Sequence, residues 1–520
     1  MDEMVGSSRS DGSPRGPVAG APVAGGAVPR DTVAGLLDGG GPGPAISTVE
    51  GAVLDRDALR GRVDALAGAL RAAGIGPGDR VAVVLPNGPE IALVLLAVMS
   101  TGCAAPLNPA YREEELRFYL DDLRPRALVT LDGGAPAAHA AAPPGARVLS
   151  VRGTGLDIEI DAAGGVGADQ RRPSPEDHAL VLHTSGTTSR PKIVPLRQRN
   201  LASSARNIAA SLGLDTSDRS LNVMPLFHIH GIMAGLLAPL GAGASVVCTP
   251  GFDAFAFHRW VDELAPTYYS AVPTMHQMVL ARSPGPRRTS LRFVRSSSAA
   301  MPRPVREALA SLFGAPVVEA YGMTEASHQM TSSPLPPGRS KPGSVGVATG
   351  IEVAVLDGSG EPLAPGERGE VAIRGATVVD GYEANPEANA AAFTSGWFRT
   401  GDEGMLDGDG FLFLTGRLKE IINRGGEKVS PVEVDEVLLG HPGVAEAVTF
   451  AIPHGALGEE VGAAVVLADG AHATESELRD HVRARLAAFK VPRRIVLVRE
   501  IPKGPTGKVQ RIGLAGRLGL

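Results

Sequence analysis

From about residue 31 to residue 417, short apolar and β-branched runs alternate with segments whose apolar positions recur at helical spacing. Val81–Leu85, Ala127–Thr130, Leu180–His183, Leu221–Met224, Ser245–Cys248 and Phe293–Arg295 read as buried strands. Arg56–Ala73 and Pro304–Leu312 read as helices. Alternation of this kind predicts an α/β core with largely parallel sheets. Within residues 351–417 the pattern becomes strand–turn–strand, with Val353–Leu356, Glu370–Arg374 and Phe411–Thr415 joined by Gly-, Pro- and Asp-rich turns. This is a small β-rich subdomain.

After Arg417 the pattern changes again. Ser430-Pro431-Val432-Glu433 is a capping box with proline at the first helical position, launching a helix through Leu439. Strands follow at Ala447–Ile452 and Val461–Leu467, a helix from Thr474–Glu477 to Leu486, and a strand at Arg494–Val498. A unit of about 100 residues is large enough to fold alone. Residues 1–30 hold ten Gly or Pro and almost no large apolar side chains, so they read as a flexible leader. The expected organisation is the leader 1–30, a large α/β domain over 31–417, and a small α+β domain over 418–520, with the boundary near Lys419.

Composition narrows the classes. Glycine (66) and proline (42) are abundant, but the 520 residues stay below the share that marks a low-complexity chain. The net charge of −6 gives no positive field to recruit nucleic acid or anionic lipid. Cys103 and Cys248 sit in apolar surroundings and cannot form a disulfide framework; buried, inert thiols suit a reducing compartment. The acidic, polar start lacks a signal-peptide pattern, the end is not of the Ser-Lys-Leu type, and the greasiest run, Ile91–Met99, is half of what a bilayer needs. A soluble cytoplasmic protein is expected, with no nucleic-acid or membrane partner. Only seven lysines stand among 50 basic residues, and five of them fall in the last 102 residues. Where arginine dominates so strongly, lysine marks places that need a compact, mobile ammonium.

Four clusters carry candidate chemistry. His183-Thr184-Ser185-Gly186-Thr187-Thr188-Ser189-Arg190-Pro191-Lys192 follows a strand; small hydroxyl residues beside glycine let N–H and O–H groups converge on phosphate. It is not a Walker A loop, since Pro191 precedes the lysine and no Ser or Thr follows it. In Glu319-Ala320-Tyr321-Gly322-Met323-Thr324-Glu325, Tyr321-Gly322 offers a flat face for an aromatic base, and Glu325 a single carboxylate for Mg²⁺ beside substrate phosphates; alone, Tyr321-Gly322 also reads as an ordinary turn. Gly396–Asp402 places a carboxylate in a tight glycine turn, suited to two ribose hydroxyls. Pro502-Lys503-Gly504-Pro505-Thr506-Gly507-Lys508 sets lysine on a loop stiffened by proline and freed by glycine.

In this order and spacing, with Pro106–Pro109, Met224–His228, Gly416–Glu420 and Gly425–Lys428 beside them, the clusters resemble the adenylate-forming superfamily of acyl-CoA synthetases, adenylation domains and luciferases. The resemblance runs from about residue 35 to the end. It implies a large N-terminal domain of two α/β lobes plus a β subdomain, hinged near Lys419 to a mobile lid. It also implies the reaction: a carboxylate attacks the α-phosphate of ATP, and a thiol, CoA, then takes the acyl group from the adenylate. Thr184, Ser185, Gly186, Thr187, Thr188 and Lys192 would hold the β- and γ-phosphates; Ala320, Tyr321 and Gly322 the base; Thr324 and Glu325 the α-phosphate and Mg²⁺; Asp402 and Arg417 the ribose. Lys508 would neutralise charge between carboxylate and α-phosphate, with His228 also among the catalytic residues. Lys419, Gly425, Gly426 and Lys428 would serve the hinge and the CoA side. Ser189 stands where the family usually has glycine.

Within the superfamily the chain looks most like the oxalate–CoA ligases, on the runs His183–Lys192, Phe227–Gly231, Arg295–Ala299, Thr324–His328 and Asn423–Lys428. The resemblance implies that Ser298 and His328 fall where other members have glycine or apolar walls, with His230 on a neighbouring loop. Left without partners such groups cost about 1–3 kcal/mol each; a small acid with a second carboxylate would satisfy them. The alternative is that His230 and His328 are satisfied core or rim histidines. Two rival functions remain: an adenylation enzyme loading a carrier protein or taking another acid, and a non-catalytic nucleotide binder. Lys192, Glu325, Asp402 and Lys508 speak against the second, because a sensor needs no acylation lysine.

Overall fold

The computed structural model describes residues 28–39, 41–162, 171–184, 191–283, 285–503 and 509–520. All but the end of the expected leader 1–30 lies outside them. The described residues form an α/β molecule with four sheets. In the largest, nine strands run in the order Val347–Ala348, His328–Ser332, Val317–Met323, Phe293–Ser297, Tyr268–Ala271, Arg219–Asn222, Ser245–Cys248, Pro44–Thr48 and Val53–Asp55. The six strands from Val317–Met323 to Pro44–Thr48 are parallel, and the outer ones add antiparallel. A second sheet of seven strands has Ala127–Leu131, Arg80–Val84, Cys103–Pro106 and His178–Thr184 at its centre and the hairpin partner Lys192–Arg197 at one edge.

Helix Pro89–Met99 touches strands of both sheets, and every residue from Ile91 to Met99 is buried. A helix enclosed on all sides must be apolar all round, which accounts for the greasiest run in the chain. Among the described residues no helix is long and apolar enough to cross a membrane. Helix Arg56–Ala72 shows the amphipathic case. Asp55 accepts from the Ala58 amide at 2.8 Å as its N-cap, and Leu59, Val63, Leu66 and Leu70 form the buried stripe.

The β-rich stretch folds as an antiparallel sheet of Glu352–Leu356, Arg368–Arg374, Trp397–Leu406, Phe393–Thr394 and Leu412–Arg417. Beyond it, Ile422–Arg424, Glu427–Val429, Val444–His454, Gly458–Leu467 and Arg494–Leu497 form the last sheet, with helices Pro431–Leu439 and Glu475–Arg483. Helix Pro431–Leu439 has the bounds its capping box predicts.

Two expected elements shift. The strand read at Leu221–Met224 is Arg219–Asn222: the Asn222 side chain accepts from the Met224 amide at 3.2 Å and turns the chain before Pro225. The helix expected to reach Leu486 stops at Arg483, where the Arg485 and Leu486 amides both turn back onto the Val482 carbonyl.

Candidate active site

Ser298, Tyr321, Gly322, Thr324 and Glu325 lie at or just past the carboxyl ends of parallel strands of the nine-stranded sheet, the usual ligand position in such sheets. On the nucleotide side, Tyr321 and Gly322 lie inside strand Val317–Met323, which corrects the reading of them as a turn. Glycine is required there for another reason. A β-carbon at Gly322 would lie 1.9 Å from the His328 carbonyl oxygen, where the two strands cross at a bulge.

The buried Tyr321 hydroxyl donates to Asp402 Oδ2, and Asp402 Oδ1 pairs with Arg417 Nε at 3.1 Å. Asp402 stands on strand Trp397–Leu406, not in a turn; Gly401, with φ 74, supplies the local kink. Burial and then Asp402 hold the Tyr321 hydroxyl far above its ordinary range, so it remains a donor. Thr324 opens a short 3₁₀ turn with Glu325 buried behind it.

Tyr382 donates to Glu325 Oε1 at 2.9 Å, and Lys192 Nζ lies 4.3 Å from the Tyr382 ring centroid. Burial pushes the Glu325 carboxyl up, opposed by the Tyr382 hydroxyl, Arg417 and Lys192. Lys192 begins strand Lys192–Arg197 and pairs across the hairpin with Thr184. Ser185, Gly186, Thr187 and Thr188, between those feet, lie outside the described residues, as does Lys508. Among the described residues no three His, Cys, Asp or Glu groups cluster as a metal site. A lone buried carboxylate fits an ion held mainly by nucleotide phosphates.

The cluster around His230, Ser298 and His328 is built on a residue to which the sequence assigned no role. Arg295, on strand Phe293–Ser297, is fully buried. Its Nη1 donates to Ser270 Oγ at 2.9 Å and faces His230 Nε2 at 3.3 Å. Nη2 donates to Gln329 Oε1 at 2.9 Å and faces His328 Nε2 at 3.2 Å. Among the described residues Nε has no hydrogen-bond partner and no carboxylate pairs with this guanidinium. Burial lowers its pKa to about 10, which leaves it charged at neutral pH.

A guanidinium can only donate, so both imidazoles present bare Nε2 to it and carry their hydrogen on Nδ1. His230 Nδ1–H then donates to Ser298 Oγ at 3.1 Å, leaving the Ser298 hydroxyl hydrogen available. The two imidazoles stack with centroids 4.8 Å apart. Ser298, Ser327 and His328 have φ of 73, 52 and 94, so three non-glycine residues around this pocket are held in the left-handed region. Ser297 Oγ donates to the Ala320 carbonyl at 2.9 Å and ties strand Phe293–Ser297 to strand Val317–Met323. His228 caps helix Ile229–Ile232, its ring 4.6 Å from that of Phe227. The sequence reading missed Arg295, Gln329 and Tyr382. For Arg295 the signal was a charged residue directly after Phe293-Val294, inside a segment that reads as a buried strand.

On the far side of Lys419, Gly425 and Gly426 form the two-residue turn of the hairpin Ile422–Arg424 and Glu427–Val429, with φ of 59 and 95. Both central residues of this hairpin turn need positive φ, which explains the glycine pair. Lys428 is exposed on the second strand, opposite Asn423.

The sequence matches the AMP-binding enzyme family over residues 46–383 and the AMP-binding enzyme C-terminal domain over residues 433–508. It is 48% identical over 455 residues to an oxalate–CoA ligase of Arabidopsis thaliana, covering 84% of this chain and 88% of the relative. It is 42% identical over 475 residues to an oxalate–CoA ligase of Saccharomyces cerevisiae, with 83% and 86% covered. The crystal structure of ATP-bound MatB from Rhodopseudomonas palustris superposes with a TM-score of 0.84 at 30% identity, covering 93% of this chain and 98% of that one.

Proposed function

The chain belongs to the AMP-binding enzyme family, and from that premise we propose that it is an ATP-dependent acid–CoA ligase whose acid is oxalate. The observation that carries the acid is Arg295, a buried guanidinium with no carboxylate partner among the described residues, beside His230, Ser298 and His328. Leaving such a charge uncompensated costs several kcal/mol. A second substrate carboxylate, accepting from the Ser298 hydroxyl with Arg295 behind it, removes that cost. Acids with one carboxylate and an apolar tail do not. The names of the relatives agree.

In the first half-reaction one oxalate oxygen attacks the α-phosphorus, and pyrophosphate leaves with the electron pair of the broken P–O bond. In the second, the CoA sulfur loses its proton and attacks the acyl carbon, and AMP departs. Catalysis of this kind is positioning plus charge stabilisation. Lys192, with Thr184 and residues 185–188, serves the β- and γ-phosphates; Ala320, Tyr321 and Gly322 serve the base. Asp402 and Arg417 take the ribose hydroxyls by exchanging part of their mutual contact. Thr324 serves the α-phosphate, Lys508 neutralises charge on it, and His228 is counted among the catalytic residues. Glu325 would hold Mg²⁺, which neutralises phosphate charge when bound.

We place the domain boundary at residues 417 and 418 and the hinge at Lys419, with Gly425, Gly426 and Lys428 facing the site during thiol transfer. The reaction is assigned to the cytoplasm, since the buried Cys103 and Cys248 thiols are unpaired, as suits a reducing compartment. Pyrophosphate release measured over a panel of acids, with and without CoA, tests the reading. Oxalyl-CoA should form fastest; transfer only to a carrier-protein thiol would replace CoA as the acceptor.

A further inference from the structure

Gln329 follows His328 on strand His328–Ser332 and is fully buried. Its Oε1 accepts from Arg295 Nη2 at 2.9 Å, while its Nε2 donates to Ser211 Oγ at 2.8 Å and Thr349 Oγ1 at 3.2 Å. Both hydroxyls send their own hydrogen elsewhere: Ser211 to the Ile208 carbonyl at 2.9 Å, Thr349 to the Met330 carbonyl at 3.2 Å. Each therefore offers only lone pairs to residue 329. That fixes the amide, with its NH₂ toward the hydroxyls and its carbonyl toward the guanidinium.

The consequence is electrical. An interior arginine is ordinarily held by a carboxylate, which orients and neutralises it together. Here a neutral amide supplies the orientation alone. The surrounding groups that also face Arg295 are Ser270 and the two imidazoles, and none of them brings a negative charge.

We infer that Gln329 is the specificity-determining positioning residue of the acyl pocket: it holds Arg295 in place while leaving its charge for the second carboxylate of a dianionic acid. This rests on the reading of the acyl pocket given above. Glutamate at 329 would provide the missing charge from within. The pocket would then match a small acid with one carboxylate and a neutral polar end.

The test compares the full-length wild type with Gln329→Glu and Gln329→Leu, using oxalate and oxamate, the same shape with a neutral amide for one carboxylate. With ATP, Mg²⁺ and CoA present, kcat and KM are measured for each acid, and KM for ATP alongside. Wild type should prefer oxalate. Gln329→Glu should lower the oxalate-to-oxamate ratio of kcat/KM by about 100-fold, through KM for oxalate, with KM for ATP unchanged. Gln329→Leu removes the acceptor and adds no charge, so both acids should weaken while the preference for oxalate persists. A wild-type ratio in Gln329→Glu overturns the inference, as does loss of the preference in Gln329→Leu; the second arm decides even where the first variant does not fold. A wild type that takes both acids equally overturns the pocket reading itself, and the inference with it.

Discussion

The hydroxyl of Tyr382 donates to Glu325 Oε1 at 2.9 Å, so the buried carboxylate is held by a residue from the β-rich stretch 57 positions away. That bond favours the ionised carboxyl, while burial opposes it. In Tyr382→Phe the Glu325 carboxyl should titrate higher. The acidic limb of the adenylation pH profile should move to higher pH, with activity lost on its acidic side and the alkaline side little changed. An unmoved limb would show that Glu325 is held by other means.

Arg295→Met should separate stability from activity. Removing a buried guanidinium that has no carboxylate partner among the described residues, and replacing it with an apolar chain of similar length, should leave Tm unchanged or raise it. Oxalate kcat/KM should fall by about 10²–10³, with KM for ATP intact. Thermal unfolding and steady-state kinetics on one preparation check both. A lower Tm with unchanged oxalate kinetics would make Arg295 a structural residue.

Glu319 precedes Ala320 and Tyr321 and is pushed up to about 7, chiefly by burial, with Arg306 at 3.8 Å opposing and Glu436 of helix Pro431–Leu439 reinforcing. A carboxyl whose folded pKa exceeds its unfolded one binds its proton more tightly when folded, so the protein loses stability as pH rises from about 4.5 to about 7. Glu319→Gln should therefore gain up to about 3 kcal/mol over wild type at pH 8 and little at pH 4.5. Denaturant unfolding at both values checks this; an equal difference at the two would contradict it.

How much of this was legible in the sequence follows from how local each signal is. Helix Pro431–Leu439 was readable to the residue because Ser430, Pro431 and Glu433 form its cap within one turn. The strings assigned to the phosphate side and the hinge are each contiguous, so they are visible in the sequence alone. Arg295 and Gln329 could not be paired, because the strands carrying them flank Val317–Met323 on either side and meet only through sheet order. Gly322 was misread as a turn residue since the His328 carbonyl that excludes a side chain there comes from the next strand. Tyr382 has no motif; only folding brings its hydroxyl to Glu325.

The two half-reactions should part at the lid. Lys508→Ala should lower adenylate formation by about 10²–10³-fold, as for a lost charge-stabilising donor, yet spare thiol transfer from a preformed adenylate. Lys419→Pro should do the reverse by fixing the hinge dihedral; no backbone hydrogen bond from the Lys419 amide is lost among the described residues. Single-turnover pyrophosphate release, measured apart from conversion of synthetic acyl-adenylate, checks both. Equal damage to both steps in Lys508→Ala would contradict a rotating lid.

The central claim is that a charge buried without a carboxylate partner selects a small dianionic acid for CoA. Competition at the adenylation step tests it most directly: wild-type enzyme, ATP, Mg²⁺ and CoA with oxalate, acetate, a medium-chain acid and a cinnamate-type acid, each thioester quantified from one mixture. Oxalyl-CoA should dominate, and its excess should vanish in Arg295→Met. Preferential formation of an apolar acyl-CoA by the wild type would contradict the account while leaving the ligase chemistry in place.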